Sequence, residues 1–529
     1  MKILKSVLLS FLMIQVLSNN CVAQNTQSDR NFTVVKNLDI LNSIYRNLEM
    51  FYVDTLDTEK LIRTGIDAML NQLDPYTEYF PEDEMGDLKM MTTGKYGGIG
   101  SIIRMRKDST VIIYEPYANM PATEVGLQVG DVLKKIEGTD LTGKNTSEVS
   151  DMLRGEPGTT FVLTVQRPGE KKTRDFKITR RNIKVPAIAL TTLIGDCGYI
   201  DLEQFTEDCS VDVRKAIISL KDKGAKKIIL DLRANGGGLL GEAVNLVNLF
   251  VDKDITIVET KGKIKELNTV YKTLSKPLDL DIPVAVLVGH NTASAAEIVS
   301  GALQDLHRAV VVGTQTYGKG LVQAPREIPY NGSLKLTTSK YYLPSGRCIQ
   351  RIDYKARRNG EAKKDSTDKT KLEGGITPDY EVSHDTLQNI VYYLSNDDVL
   401  IDFGTKYCQT HTAPASVDDF QLTDDDIEQF RNMAKESGFS YDPLSGKLIS
   451  DLKSMLKFEG YYDDAEAEFA ALEKKLTHNL DSDFDRYKKE IRQLLSHEII
   501  KRWFYQAGCI KYSLKDDDDL KKAIEVLNK

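Results

Sequence analysis

Tryptophan occurs once in this chain of 529 residues, and histidine and cysteine six times each. The histidines (His290, His307, His384, His411, His478 and His497) form no HExxH pattern. The cysteines form no CxxC pair and no Cys/His ligand spacing, so no metal site is read and no cofactor is expected. A basic excess is also absent: 70 Lys and Arg face 78 Asp and Glu, a net charge of −8. General nucleic-acid binding needs a cationic surface, so that class of partner is excluded. Past the first 25 residues there is no run of about 18 apolar residues, so no membrane-spanning helix is expected. The rest of the composition is ordinary, 41% hydrophobic and 28% charged, which excludes wholesale disorder. At about 100–200 residues per domain the length suits about three domains.

Residues 1–23 read as an export signal. Lys2 and Lys5 form a short cationic start, Val7 to Leu17 is an apolar run, and Cys21-Val22-Ala23 precedes a cut before Gln24. The chain is therefore expected to be exported, to the periplasm or cell envelope. A lipid anchor on Cys21 is the lesser reading, because Asn20 is larger than such sites accept. Cys197, Cys209, Cys348, Cys408 and Cys509 remain after the leader. A Cys197–Cys209 disulfide and buried free thiols stay open as alternatives.

Residues 24–85 read as a helical N-terminal region, with one helical stretch from Phe32 to Leu73 closed by Asp74-Pro75-Tyr76. Residues 86–182 change to short β-rich runs separated by Gly, Pro and Asn turns. From 183 to 398 strand and helix signals alternate, which suggests crossover units. Residues 354–373 form a charged excursion, and 399–529 a mostly helical extension. Thr423 before three aspartates, and Asp516 to Asp519, are good helix starts.

Three segments carry chemistry. Asp231-Leu232-Arg233-Ala234-Asn235-Gly236-Gly237-Gly238 ends a buried strand, and its glycines can aim N–H groups at one point, as an oxyanion requires. Alone it reads first as a tight packing turn. Thr292-Ala293-Ser294-Ala295-Ala296-Glu297-Ile298 follows another strand, with Ser294 at the start of a helix. Alone that is a serine N-cap. Thr316-Tyr317-Gly318-Lys319-Gly320-Leu321-Val322-Gln323 places a lysine between glycines, where loss of solvent would make it a base. Alone it is a solvated hairpin lysine. Gly313-x4-Gly318-Lys319 also has phosphate-loop spacing, but Gly320 stands where Ser or Thr should hold magnesium, and a strand rather than a helix follows.

In this order the three segments resemble the carboxyl-terminal processing, or tail-specific, proteases over roughly residues 35 to 395. Further matches are Gly198-Tyr199-Ile200-Asp201-Leu202, Tyr342-Leu343-Pro344-Ser345-Gly346-Arg347 and Gly374-Gly375-Ile376-Thr377-Pro378-Asp379. The resemblance implies that Ser294 is the nucleophile, Lys319 its base and Gln323 the group that orients Lys319. It implies an oxyanion hole from the N–H groups of Gly238 and Ala295, with Gly237 as the alternative glycine. Gly236 replaces a frequent proline, and Ala296 a common second serine.

Residues 86 to 180 resemble a PDZ domain, with Tyr96-Gly97-Gly98-Ile99-Gly100 as its carboxylate loop and Ser147 to Leu153 as its groove helix. Gly97, Gly98, Ile99 and Gly100 would then hold a substrate's carboxyl terminus. Arg180, at the junction with the core, is the candidate relay between tail binding and the active site. The fold implied is α/β and multidomain. It has a crotonase/ClpP-like protease core, an inserted PDZ domain, and helical regions at both ends. The expected function is an exported serine endopeptidase cutting proteins with apolar carboxyl termini; the alternative is a noncatalytic PDZ adaptor of the cell envelope. For the helical extension, homodimer formation, adaptor binding and covering of the site all stay open.

Overall fold

The computed structural model describes residues 29–358, 374–383, 389–441, 444–476 and 479–529. The expected export signal, and the charged excursion from 359 onward, lie outside them. By contacts the chain divides into residues 1–79 and 80–529. In the first unit, helix α1 spans 29–51 and α2 spans Thr58–Asn71. The single stretch expected from Phe32 to Leu73 is therefore two helices. Asp57 accounts for the break: its carboxylate accepts the Lys60 N–H at 3.0 Å and starts a new helix. The Asp74 turn is present, with Asp74 Oδ1 accepting the N–H groups of Tyr76 and Thr77 at 2.9 Å.

The second unit begins with α3 (Met85–Thr93) and the β-rich domain. Strand β1 (Lys95–Gly98) pairs with β7 (Arg181–Lys184). The sheet between them runs β2 (Ser101–Met105), β3 (Val111–Pro116), β4 (Val132–Ile136), β5 (Thr160–Gln166), β6 (Arg174–Thr179). Alternating residues of β5 (Phe161, Leu163 and Val165) turn inward with Ile113 and Ile178. Helix α4 (Thr146–Leu153) starts with a reciprocal cap between Asn145 and Glu148 and buries Val149 and Leu153. β2 is an edge strand and packs beside α4.

The α/β core is built on a six-stranded sheet, in the order β8 (Ile188–Ile194), β9 (Cys197–Leu202), β10 (Lys227–Asp231), β12 (Val284–Val288), β13 (Val310–Gly313) and β16 (Tyr380–Glu381). Only β8 is antiparallel to its neighbour. All five residues of β12 are buried, as a strand covered on both faces requires. Helices α5 (Cys209–Asp222), α6 (Leu240–Val247) and α7 (Ala295–Asp305) cover one face with Leu246, Val299 and Leu303. In a second sheet β15 (Gly332–Tyr342) pairs with β11 (Thr256–Gly262) and, on its own hairpin, with β14 (Leu321–Ile328). Among the described residues five cysteines are free thiols, and Cys197 and Cys209 do not pair.

The helical extension covers the other face of the core sheet. Leu520 and Ala523 of α13 (Asp518–Leu527), with Ile510 and Leu514 near the end of α12 (Lys488–Ser513), pack on Tyr199, Ile229, Ala285 and Leu287. It also grips the β-rich domain. Arg106 pairs with Asp402 at 2.7 Å, and the Lys501 ammonium lies 3.7 Å from the centre of the Tyr114 ring. Both expected helix starts are present: Thr423 and Asp426 cap each other reciprocally, and Asp517 accepts the Leu520 N–H at 2.9 Å.

Leu520 is 2% exposed. Leu520→Ala is expected to cost about 2–4 kcal/mol in urea unfolding, because a void opens under the sheet. The fluorescence of Trp503, packed near Tyr407 and Phe420 in the extension, reports it.

At the end of β9, burial pushes the Asp201 carboxyl up to about 8; Asp231 and Glu203 add to the effect, and Arg233 opposes it. The folded state therefore holds a proton that the unfolded state releases near pH 4. This group's contribution to stability is full below pH 4 and declines as pH rises to about 8. Asp201→Asn removes that slope. Its unfolding midpoint is expected to exceed that of wild type increasingly from pH 5 to pH 8, measured by urea titration at each pH.

Candidate active site

β10, β12 and β13 are adjacent and parallel, so the loops leaving their carboxyl ends meet at one edge of the sheet. Those loops are the three segments singled out above. Ser294 sits immediately before α7 with φ 57° and ψ −117°, a region that non-glycine residues rarely occupy. The turn is held by a bond from the Ser294 N–H to Glu297 Oε2 at 2.8 Å. Gly237, at φ +106°, lies so close that a Cβ there would come within 2.7 Å of Ser294 Cβ. A Cβ on Gly238 would fall 2.3 Å from the Phe205 carbonyl oxygen. These two glycines are required by close approach. Gly236 faces open space, so the glycine that replaces a proline meets no crowding there.

The fully buried Asn235 shapes the loop. Its Nδ2 donates to the Leu202 carbonyl at 2.7 Å, and its Oδ1 accepts the Gly237 N–H at 2.8 Å. The N–H of Gly237 is therefore engaged within the loop. Those of Gly238 and Ala295 donate to no protein acceptor among the described residues.

Glu297, fully buried, joins the serine and lysine segments. Its Oε1 accepts the Thr316 hydroxyl at 2.6 Å and the Gly318 N–H at 2.8 Å; its Oε2 accepts the Lys319 N–H at 2.9 Å as well as that of Ser294. Burial pushes its carboxyl above the ordinary range, and these donors pull it back toward the charged form. Sequence reading assigned Glu297 no role. The signal was there as the Ser-x-x-Glu spacing of a capping box.

Ser294, Ala295, Gly237, Gly238, Lys319 and Gln323 line one cavity of about 750 Å³. Lys319 is half-buried, and β14 follows it as expected. Gln323 Nε2 donates to Thr337 Oγ1 at 3.1 Å, so its donor is engaged on the neighbouring strand. Leu240, Ile298, Leu321 and Tyr341 make the cavity walls apolar, as do Met85, Leu88 and Met91 from α3. A hydroxyl, an amine and two N–H groups without protein acceptors in such a cleft suit nucleophilic attack on a carbonyl.

Gly97, Gly98, Ile99 and Gly100 lie together at the end of β1 and just past it. Among the described residues the N–H groups of Ile99 and Gly100 reach no backbone acceptor. The Tyr96 ring folds over Gly98, whose added Cβ would meet it at 2.6 Å. Burial pushes the Tyr96 phenol up, and Arg154 and the N–H groups of Ser101 and Gly100 pull it down.

Arg180 does not reach the cavity. Its Nε and Nη2 donate to the Leu153 and Met152 carbonyls at 3.0 and 2.9 Å, and its guanidinium stacks 4.1 Å from the Phe161 ring centre. It caps the carboxyl end of α4 inside the β-rich domain. The residue that crosses over is Arg154, next to α4. It pairs with Asp87 and lies 3.8 Å from Met90 Sδ, both on α3, the helix that lines the cavity.

Residues 196–382 match the profile of Peptidase family S41. Residues 112–167 match a PDZ domain, and 390–527 the C-terminal helical domain of a probable PDZ-protease. A carboxy-terminal-processing protease of Bartonella bacilliformis is 38% identical over 63% of this chain and 76% of that protein. A probable CtpA-like serine protease of Staphylococcus aureus is 37% identical over 61% of this chain and 64% of that protein. Among solved structures, a photosystem II D1 C-terminal processing protease aligns at 25% identity over 64% of this chain and 91% of that one, with TM-score 0.36.

Glu297→Gln would turn amide hydrogens toward two of the four donors. It is expected to lower the turnover number for a cleaved peptide at least tenfold while leaving KM within about threefold, in steady-state kinetics.

Proposed function

The chain belongs to the carboxy-terminal-processing proteases of peptidase family S41, and we propose that it captures apolar protein carboxyl termini on its PDZ domain and cleaves the chain with Ser294 and Lys319. The observation that carries this reading is the shared cavity, with Glu297 tying both loops together.

Ser294 Oγ attacks the scissile carbonyl carbon, and neutral Lys319 accepts the hydroxyl proton. The oxyanion lies between the N–H groups of Gly238 and Ala295. Gly237 is the weaker donor, because its N–H already serves Asn235. Collapse of the intermediate breaks the C–N bond, and Lys319 returns the proton to the leaving amine. Water then adds to the acyl-serine, giving its proton to Lys319, and the ester bond breaks to release the acid and restore the serine.

A tail bound as an added strand on β2, beside α4, places its carboxylate at Gly98, Ile99 and Gly100. The Tyr96 hydroxyl must then yield its place. The Arg154–Asp87 pair offers a path from the groove helix to α3 at the cavity. Lys2, Lys5 and the apolar run to Leu17 support export of the chain to the envelope.

The test is cleavage of an unfolded reporter ending in apolar residues. Wild type is expected to cut it. Ser294→Ala and Lys319→Ala should each lose about a thousandfold or more in turnover, and an acidic reporter tail should slow wild type. Cutting that survives both substitutions refutes the dyad. Tail binding without cutting by any form favours the adaptor reading.

A further inference from the structure

The arginine at the root of the oxyanion loop is held by the last helix. Arg233 Nη1 donates to Asp517 Oδ1 at 3.0 Å and to Asp519 Oδ2 at 2.9 Å, and Nη2 to Asp517 Oδ2 at 2.6 Å. On its other side Nε donates to both oxygens of Asp231 at 3.0 Å, and Nη2 to Asp231 Oδ2 at 2.5 Å. Asp231 is 4% exposed and Asp519 2%. One guanidinium thus carries three carboxylates, in a place where removing any partner leaves charge without compensation. Burial pulls the Arg233 guanidinium down, and Asp231 and Asp517 more than reverse it.

The loop grows directly from this clamp. The neighbouring Leu232 carbonyl accepts the Thr292 hydroxyl at 2.7 Å and the Asn235 N–H at 3.1 Å. The Asn235 carbonyl accepts the Ala293 N–H at 3.0 Å, and its side chain holds Gly237. These bonds reach Gly237, next to the Gly238 donor, and Ala293, two residues before the Ala295 donor. The core alone supplies Arg233 with one carboxylate, Asp231; the other two come from residues nearly 300 positions later.

We propose that Asp517 and Asp519 are positioning residues for catalysis: through Arg233 they set the oxyanion loop, so the C-terminal helix is part of the proteolytic machinery as well as a cover for the sheet. This rests on the Ser294–Lys319 reading above.

The test is the double variant Asp517→Asn, Asp519→Asn in the full chain. Asn caps a helix as well as Asp, so α13 keeps its start while the clamp loses its charge. Turnover is expected to fall about 10- to 100-fold, with KM and the Kd for a fluorescent apolar tail peptide within about twofold of wild type. Arg233→Lys, which keeps the charge and loses the fork, should show the same split. Amide hydrogen exchange should quicken in residues 232–239 and stay unchanged in 284–288, a readout that does not require cleavage. Turnover within twofold of wild type, unchanged exchange at 232–239, or a loss that merely tracks the unfolded fraction by near-ultraviolet circular dichroism would each overturn the proposal. A wild type that does not cut, with exchange quickened as expected, would instead count against the Ser294–Lys319 reading and leave the clamp supported.

Discussion

A single buried carboxylate ties together the serine and lysine loops of the proposed active site. Glu297 lies in the first turn of α7 with no exposed surface, and it accepts hydrogen bonds from Ser294, Thr316, Gly318 and Lys319. Burying a carboxylate without partners would cost several kcal/mol. Four donors satisfy it only when the serine loop and the lysine loop both take their observed conformations. The strained backbone at Ser294 is compatible with the fold because Glu297 secures its N–H. The constraint runs both ways: the carboxylate needs the loops, and the loops need the carboxylate.

The same logic of satisfied polar groups appears in the glycine loop, with different chemistry. Asn235 fills its hydrogen bonds with Leu202 and Gly237, and its carbonyl takes Ala293. The glycines beside it are fixed by lack of room. A side chain on Gly237 would strike Ser294, and one on Gly238 would strike Phe205. Apolar surface from α3 completes the cleft, which links the site to the peptide-binding domain through Asp87 and Arg154. The PDZ domain and the cleft proposed to be catalytic thus share one short helix.

The helical extension shows how a core sheet closed on one face by its own helices is closed on the other by distant sequence. Leu520 and Ala523 seal it, while ion pairs at Asp402 and Asp397 hold the PDZ hairpin. A sheet whose central strands are all parallel and apolar on both sides needs cover on both faces. Without these residues Tyr199, Ile229 and Leu287 would present apolar surface to water.

Much of this protein was legible in the amino-acid order. Short β-rich runs between Gly, Pro and Asn turns marked the strands of residues 86–182, and an unbroken apolar run marked Val284 to Val288. Glycine, serine and lysine at the strand ends marked the three loops that line the cavity. Tertiary structure alone decided the rest. Gln323 was drawn to Thr337 by strand register. Arg180 was turned toward the end of α4, and Arg154 rather than Arg180 reaches α3. The joining of Glu297 to Lys319, and of Arg233 to Asp517, depends on contacts between residues far apart in the chain. Local pattern carries no record of such contacts, since they exist only once adjacent parallel strands have brought their ends to one edge of the sheet.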